Sequence, residues 1–308
     1  MDSEGTTNGA GPKGVLAAVL TPMGGDLAPD HAAFAAHCDR LLAAGCHGLS
    51  VFGTTGEANS LSVQERLAAL EALLERGVPA GALLPGTGSC ALTDNVRLSR
   101  AALEAGTAGV LVLPPFYYKG VGDDGLFRFF AEVVERIGDQ RLSLYLYHIP
   151  QMTGIDLGLP LISRLIEAYP GVIAGTKDSS GDRERISTLC REFPGFSVLA
   201  GTETLLLETL QNGGEGCISA TVNVTARLAR QVYDAHASGR ADEAQALQER
   251  LSALRASIEA YPMIPALKAL MSDLTGEEAW RNLRPPLSGL TEEQEKKLLA
   301  GVPLAELL

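Results

Sequence analysis

The chain has 308 residues, 46% of them hydrophobic and 20% charged, with a formal net charge of −12 and a pI of about 4.9. That balance argues against a nucleic-acid or anionic-membrane partner, because few cations are left to neutralise phosphate. No run of roughly 18 apolar residues is present to span a bilayer, and the length suits one large α/β domain or two smaller ones.

Residues 1–12 are polar and glycine-rich, without a basic start or an apolar signal core, and read as a disordered tail. From residue 14 to about 240, short apolar runs alternate with longer amphipathic stretches. The candidate strands are 15–20, 48–52, 82–85, 109–113, 142–147, 172–175, 197–200 and 216–219. Each is nearly continuously apolar, the pattern of strands buried on both faces of a parallel sheet. Ser62 with Glu65 three residues later is a capping box that opens a helix. Thr93-Asp94-Asn95 is expected to precede another helix, and Asp123-Asp124 a third, while Gly45, Gly77 and Gly106 mark helix ends.

Eight strand–helix repeats predict an α/β fold, a (β/α)8 TIM barrel over residues 13–240. The competing architecture is a doubly wound open sheet. Its first strand often ends in Gly-x-Gly-x-x-Gly, whereas here it ends in Leu20-Thr21-Pro22-Met23. After residue 240 only helical patterns follow, at 241–260, 264–274 and 292–299, punctuated by Pro262, Pro265 and Pro285-Pro286. Residues 241–308 are expected to form a C-terminal helical extension used for assembly.

The five cysteines, Cys38, Cys46, Cys90, Cys190 and Cys217, are odd in number and lack Cys-x-x-Cys spacing, as in a reduced cytoplasmic protein. His31, His37, His47, His148 and His236 show no metal-ligand spacing, so no metal site is expected.

In barrels of this kind, functional residues gather where strands end. The second candidate strand ends in Gly53-Thr54-Thr55-Gly56-Glu57, a turn whose amides and hydroxyls can hold a carboxylate, or a plain glycine-rich turn. The fifth leads through Tyr147 to Pro150. A phenol there can relay a proton if hydrogen-bonded partners support it, or be an ordinary strand-end aromatic. The sixth leads into Gly175-Thr176-Lys177-Asp178-Ser179-Ser180, where Lys177 is either a solvated loop lysine or an amine nucleophile in a desolvated mouth.

Taken together, Gly53–Glu57, Tyr147-x-x-Pro150 and Gly175-Thr176-Lys177-Asp178 resemble the dihydrodipicolinate synthase and N-acetylneuraminate lyase family. So do Pro114-Pro115-Phe116-Tyr117-Tyr118, Gly201-Thr202-Glu203 and the stretch 213–219. The resemblance implies a class I, metal-independent carbon–carbon lyase that needs no cofactor beyond an imine between Lys177 and pyruvate or another 2-keto acid. Tyr147 would shuttle protons, and Thr54 and Thr55 would hold the keto-acid carboxylate. Thr55 would also link Tyr147 to a tyrosine from a neighbouring subunit, assigned to Tyr117 with Tyr118 as the alternative. Gly201 and Ile218 would line the pyruvate end, and the assembly would be a homotetramer, a dimer of dimers.

One position departs from the pattern. Met152 stands where the lysine-biosynthetic synthases of the family carry an arginine, while His148 and Gln151 nearby can hydrogen-bond hydroxyls. The expected substrate is therefore a 2-keto-3-deoxy sugar acid or related hydroxylated keto acid. The alternatives are 4-hydroxy-tetrahydrodipicolinate synthesis from pyruvate and aspartate semialdehyde, a Schiff-base sugar-acid dehydratase, and a non-catalytic keto-acid sensor.

Overall fold

The structure, a computed structural model, describes residues 11–304 and 307–308. The expected tail thus falls almost wholly outside the described residues. In chain order the elements are β1 (Gly14–Ala18), α1 (His31–Ala43), β2 (Gly48–Ser50), α2 (Val63–Glu75), α3 (Leu92–Glu104), β3 (Val110–Val112) and α4 (Asp123–Ile137). Then follow β4 (Leu144–His148), α5 (Pro150–Thr153), α6 (Leu159–Ala168), β5 (Ile173–Asp178), α7 (Arg183–Glu192), β6 (Ser197–Ala200), α8 (Leu206–Gln211) and β7 (Gly216–Ser219). The α-helices α9 (Val222–Ala237), α10 (Ala241–Glu259), α11 (Met263–Thr275) and α12 (Glu292–Gly301) follow among the described residues.

All strand pairs are parallel, in the order β2-β1-β7-β6-β5-β4-β3. The described residues therefore form seven strands, not eight, and the stretch 82–85 is not a regular one. It still closes the ring. Leu84 N and Gly86 N donate to Leu49 O and Val51 O on the β2 side, at 2.9 and 2.7 Å. Leu111 N and Thr87 N bond Pro85 O and Leu111 O on the β3 side, at 2.9 and 3.0 Å. Pro85 has no N–H to give to a ladder. At Gly86 the chain runs so close to β2 that a Cβ would lie 2.9 Å from the carbonyl carbon of Phe52. The outcome is a TIM barrel with one irregular stave.

The apolar strand runs divide by alternation. Leu16, Ala18, Leu84, Leu111, Tyr145, Tyr147, Leu199 and Ile218 fill the barrel interior. Their sequence neighbours, among them Val15, Ala17, Val110, Val112, Leu144 and Leu146, pack outward under the helices. Burial on both faces is why these strands read as unbroken apolar runs.

The Ser62 cap forms as expected: its Oγ accepts from Glu65 N at 3.2 Å, and Glu65 Oε2 accepts from Ser62 N at 2.8 Å. The start expected after Thr93-Asp94-Asn95 lies earlier, at Leu92. Asn95 is not a cap; it is buried, and its Oδ1 accepts from Ser99 Oγ at 3.2 Å. The C-terminal helices share the main apolar core, with α10 packed on α9. They also send two cations, Arg255 and Lys268, into buried contact with barrel carboxylates.

Candidate active site

Tyr147 and Lys177 are register partners on β4 and β5, and both face the barrel interior. Each is nearly fully buried, at 3% and 4% exposure. Lys177 Nζ donates to Tyr147 Oη at 3.3 Å and lies 4.4 Å from the centre of the phenol ring. On its other side, Tyr147 Oη is 3.3 Å from Thr54 Oγ1. These three side chains form a continuous hydroxyl–phenol–amine chain, with contacts at the long end of the hydrogen-bond range. The hydroxyl on the phenol is that of Thr54. Thr55, expected to make that link, lines the same cavity without a hydrogen bond to Tyr147 among the described residues.

The Gly53–Glu57 turn is held from below. Glu57 adopts the left-handed region (φ 56°), unfavourable for a side chain bearing a Cβ. Its carboxylate, fully buried, pairs with the equally buried Lys268, and its Oε2 accepts from Arg284 N at 3.0 Å. Thr21 Oγ1 adds a bond to Gly56 O at 2.8 Å. The threonines are thus presented by a turn whose last residue is anchored to α11.

The loop after β5 is braced in the same way. Asp178, buried, accepts from Ser180 N at 2.9 Å and from Arg185 Nε at 2.6 Å. Gln151 Nε2 donates to Ser179 O, and Gly201 N to Asp178 O, both at 2.6 Å. Together these segments enclose a cavity of about 390 Å³ at the strand C-termini, with Lys177 and Tyr147 in its wall. Thr54, Thr55 and Gly201 line it as well, and Gln151, Ser179, Ser180, Thr202 and Thr204 supply further polar wall groups. A larger cavity, about 680 Å³, lies at the other end of the barrel, where Ser197 and Ile173 begin their strands. Its lysine, Lys13, is paired with Glu215 at 2.8 Å.

Four expected residues, His148, Ile218, Met152 and Tyr117, lie outside the smaller space, as does the alternative Tyr118. His148 follows Tyr147 on the strand and so points the opposite way, toward the helices. Its Nδ1 accepts from Leu157 N at 3.3 Å, and its Nε2 is 3.6 Å from Asp156 and 4.0 Å from Asp178. Burial, the largest influence, lowers its pKa against the pull of Asp178. Ile218 is buried in the interior apolar cluster and does not line the cavity. Met152, on α5, is 62% exposed and is likewise absent from the wall. Tyr117 and Tyr118 stack edge to face at 5.3 Å and are 74% and 72% exposed, away from Tyr147 within one chain.

A family model for the dihydrodipicolinate synthetase family matches residues 11–303. The chain belongs to this family. It is 36% identical over 295 residues to a DapA-like lyase from Chloroflexus aurantiacus, covering 95% of this chain and 96% of that one. The crystal structure of dihydrodipicolinate synthase from Agrobacterium tumefaciens superposes with a TM-score of 0.85 at 33% identity, over 94% of this chain and 97% of that chain. An Escherichia coli K12 prophage protein of the dihydrodipicolinic acid synthase family, in complex with pyruvate, gives 0.84 at 29% identity, over 94% and 96%. Membership makes the chain a carbon–carbon lyase of the class I aldolase type.

Two charged wall residues escaped the sequence reading: Arg255 and Glu259, both on α10. Arg255 Nη1 is 2.9 Å from Oε2 of the buried Glu203, and its Nε is 3.1 Å from Glu259 Oε2. Glu203 also accepts from Ser219, Thr221 and, at 3.4 Å, Thr225. The signal was a charge inside an apolar stripe, since Arg255 shares its buried helix face with Leu251, Leu254 and Ile258. Among the described residues, no group of three or more His, Cys, Asp or Glu side chains is arranged to hold a metal ion.

Proposed function

We propose that this enzyme forms a Schiff base between Lys177 and pyruvate and uses it to make or break a carbon–carbon bond with a hydroxylated aldehyde. The carrying observation is the Thr54–Tyr147–Lys177 chain, with Tyr147 Oη 3.3 Å from both neighbours. Unprotonated Nζ attacks C2 of the keto acid, and the phenol supplies the proton that lets the carbinolamine hydroxyl leave as water. In the cleavage direction the resulting iminium accepts the electron pair of the C3–C4 bond, as the C4 hydroxyl gives its proton to the Tyr147 oxygen and departs as the aldehyde. The enamine is then protonated at C3, and hydrolysis of the imine returns pyruvate and the free lysine. Thr54 passes protons to and from the phenol, while Thr55 and the turn amides hold the keto-acid carboxylate.

For the second substrate, the hydroxyl and amide groups of Gln151, Ser180, Thr202 and Thr204 favour the aldehyde half of a 2-keto-3-deoxy sugar acid. The exposed Met152 offers no charge-assisted contact to a carboxylate, which would contribute about 1.5–3 kcal/mol. Likeness to the Agrobacterium synthase favours the second reading, condensation with aspartate semialdehyde. Tyr117 and Tyr118, exposed beside Val121, are the surface offered to a neighbouring subunit of a homotetramer. The free cysteines suit the cytoplasm, and no helix of the described residues is long and apolar enough to cross a membrane.

Borohydride reduction in the presence of pyruvate tests the reading. Intact-mass analysis is expected to show a pyruvate adduct that Lys177→Ala loses; no adduct, or one that persists in the variant, overturns the mechanism. Pyruvate release from 2-keto-3-deoxy acids, against condensation with aspartate semialdehyde, separates the two substrate readings. Formation of a 2-keto semialdehyde without pyruvate release would instead mark a dehydratase.

A further inference from the structure

Besides Lys177, the charged side chains in the cavity wall are Arg255 and Glu259. Arg255 could be taken for a receptor of a substrate carboxylate, replacing the cation missing at Met152. Its surroundings argue otherwise. Its Nη1 is bound to Glu203 at 2.9 Å, to Ser219 Oγ at 3.1 Å and to Thr221 Oγ1 at 3.0 Å, and its Nε to Glu259 at 3.1 Å. Glu203 is completely buried, and Arg255 is its counter-ion among the described residues. One positive charge therefore faces two negative ones. Once Lys177 has become an iminium beside the keto-acid carboxylate, the rest of the cavity faces a group of net negative charge: Arg255 and Glu259 in the wall, with Glu203 buried behind Arg255.

We infer that Arg255 and Glu259 choose the aldehyde partner, accepting an uncharged, hydroxyl-bearing aldehyde and rejecting one that carries a carboxylate. This rests on the pyruvate-lyase reading and specifies it. A hydroxyl can donate to Glu259, whose Oε1 has no hydrogen-bond partner among the described residues, and accept from the guanidinium, whose Nη2 likewise has none. A carboxylate in the same place meets Glu259 with no free cation to offset the repulsion. Specificity here comes from a repulsive element as much as from an attractive one.

The test compares pyruvate condensation with glyceraldehyde and with succinic semialdehyde in the full-length protein. Glu259 is 57% exposed on its side chain, so Glu259→Gln is expected to fold normally. The wild type should prefer glyceraldehyde. Glu259→Gln should raise kcat/KM for succinic semialdehyde and lower it for glyceraldehyde, each by about fivefold and mainly through aldehyde KM. Glu259→Lys should move the ratio further the same way. A wild-type preference for succinic semialdehyde, or a ratio unchanged within about twofold in both variants, overturns the inference while leaving the Schiff base intact. Absence of a borohydride-trapped pyruvate adduct on the wild type overturns the lyase reading and this inference with it.

Discussion

Gly201 passes so close to Ser179 that a Cβ on it would lie 2.6 Å from the Ser179 Cα. Because the clash involves backbone, a rotamer change cannot relieve it, and the loop beyond Lys177 must shift instead. Gly201→Ala is expected to retain its circular dichroism spectrum, destabilise the fold by about 1–3 kcal/mol, and lower kcat/KM by about 100-fold through displacement of the reacting groups. Wild-type kinetics in this variant would show that the loop has slack that the geometry does not suggest.

The two threonines of the mouth turn should separate by kinetics. Thr54 touches the phenol, so Thr54→Val is expected to lower kcat by at least tenfold with little change in pyruvate KM, whereas Thr55→Val should act mainly on pyruvate KM. Tyr147→Phe should still form some trapped imine but lose turnover by roughly 100- to 10,000-fold. Rapid-quench trapping beside steady-state rates resolves the two steps, and full turnover in Tyr147→Phe would remove the phenol from the mechanism.

Lys268 and Glu57 form a buried pair with both side chains inaccessible. Lys268→Met leaves a carboxylate buried without its partner and should destabilise the protein by about 3–5 kcal/mol in denaturant titrations. Adding Glu57→Gln should recover a large part of that loss. If the double variant is no more stable than the single one, the pair is not the source of the effect.

Stability should also depend on a histidine that does not line the cavity. His37 Nε2 is 2.8 Å from Asn223 Oδ1, and burial, the largest influence, lowers its pKa to about 4. The folded protein thus keeps His37 neutral, while the unfolded chain protonates it below about pH 6.5. Since the unfolded state binds more protons in between, this contribution is complete above pH 6.5 and declines as pH falls toward 4, by a few kcal/mol in all (about 1.4 per pKa unit). His37→Gln should flatten the slope of unfolding free energy against pH in that window. His148, lowered by burial as well, should leave a residual slope of the same sign.

What could be read in advance followed from local order. Lys177 and Tyr147 stand at the ends of apolar runs, and a barrel brings such ends together. His148 is expected at the mouth but faces the helices, because its strand is buried on both faces and no polar alternation marks which side is inward. Residues 82–85 looked like a strand because of their apolar character, but Pro85 and the tight passage at Gly86 reduce them to single bridges. The apolar stripe of α10 marks Arg255 as a buried charge, but that it and Glu259 reach the cavity depends on how α10 lies over the barrel.

The placement of Arg255 and Lys268 in the last helices has a consequence for synthesis. Every barrel strand precedes them in the chain, so all of them leave the ribosome before the counter-ions of Glu203 and Glu57 exist. Until α10 and α11 emerge, those two carboxylates lack their counter-ions and cannot be buried without a large desolvation cost. The rim at the strand ends is therefore completed only after α10 and α11 have emerged, and a chain stopped near residue 240 would contain Lys177 and Tyr147 without the charges that hold their surroundings in place.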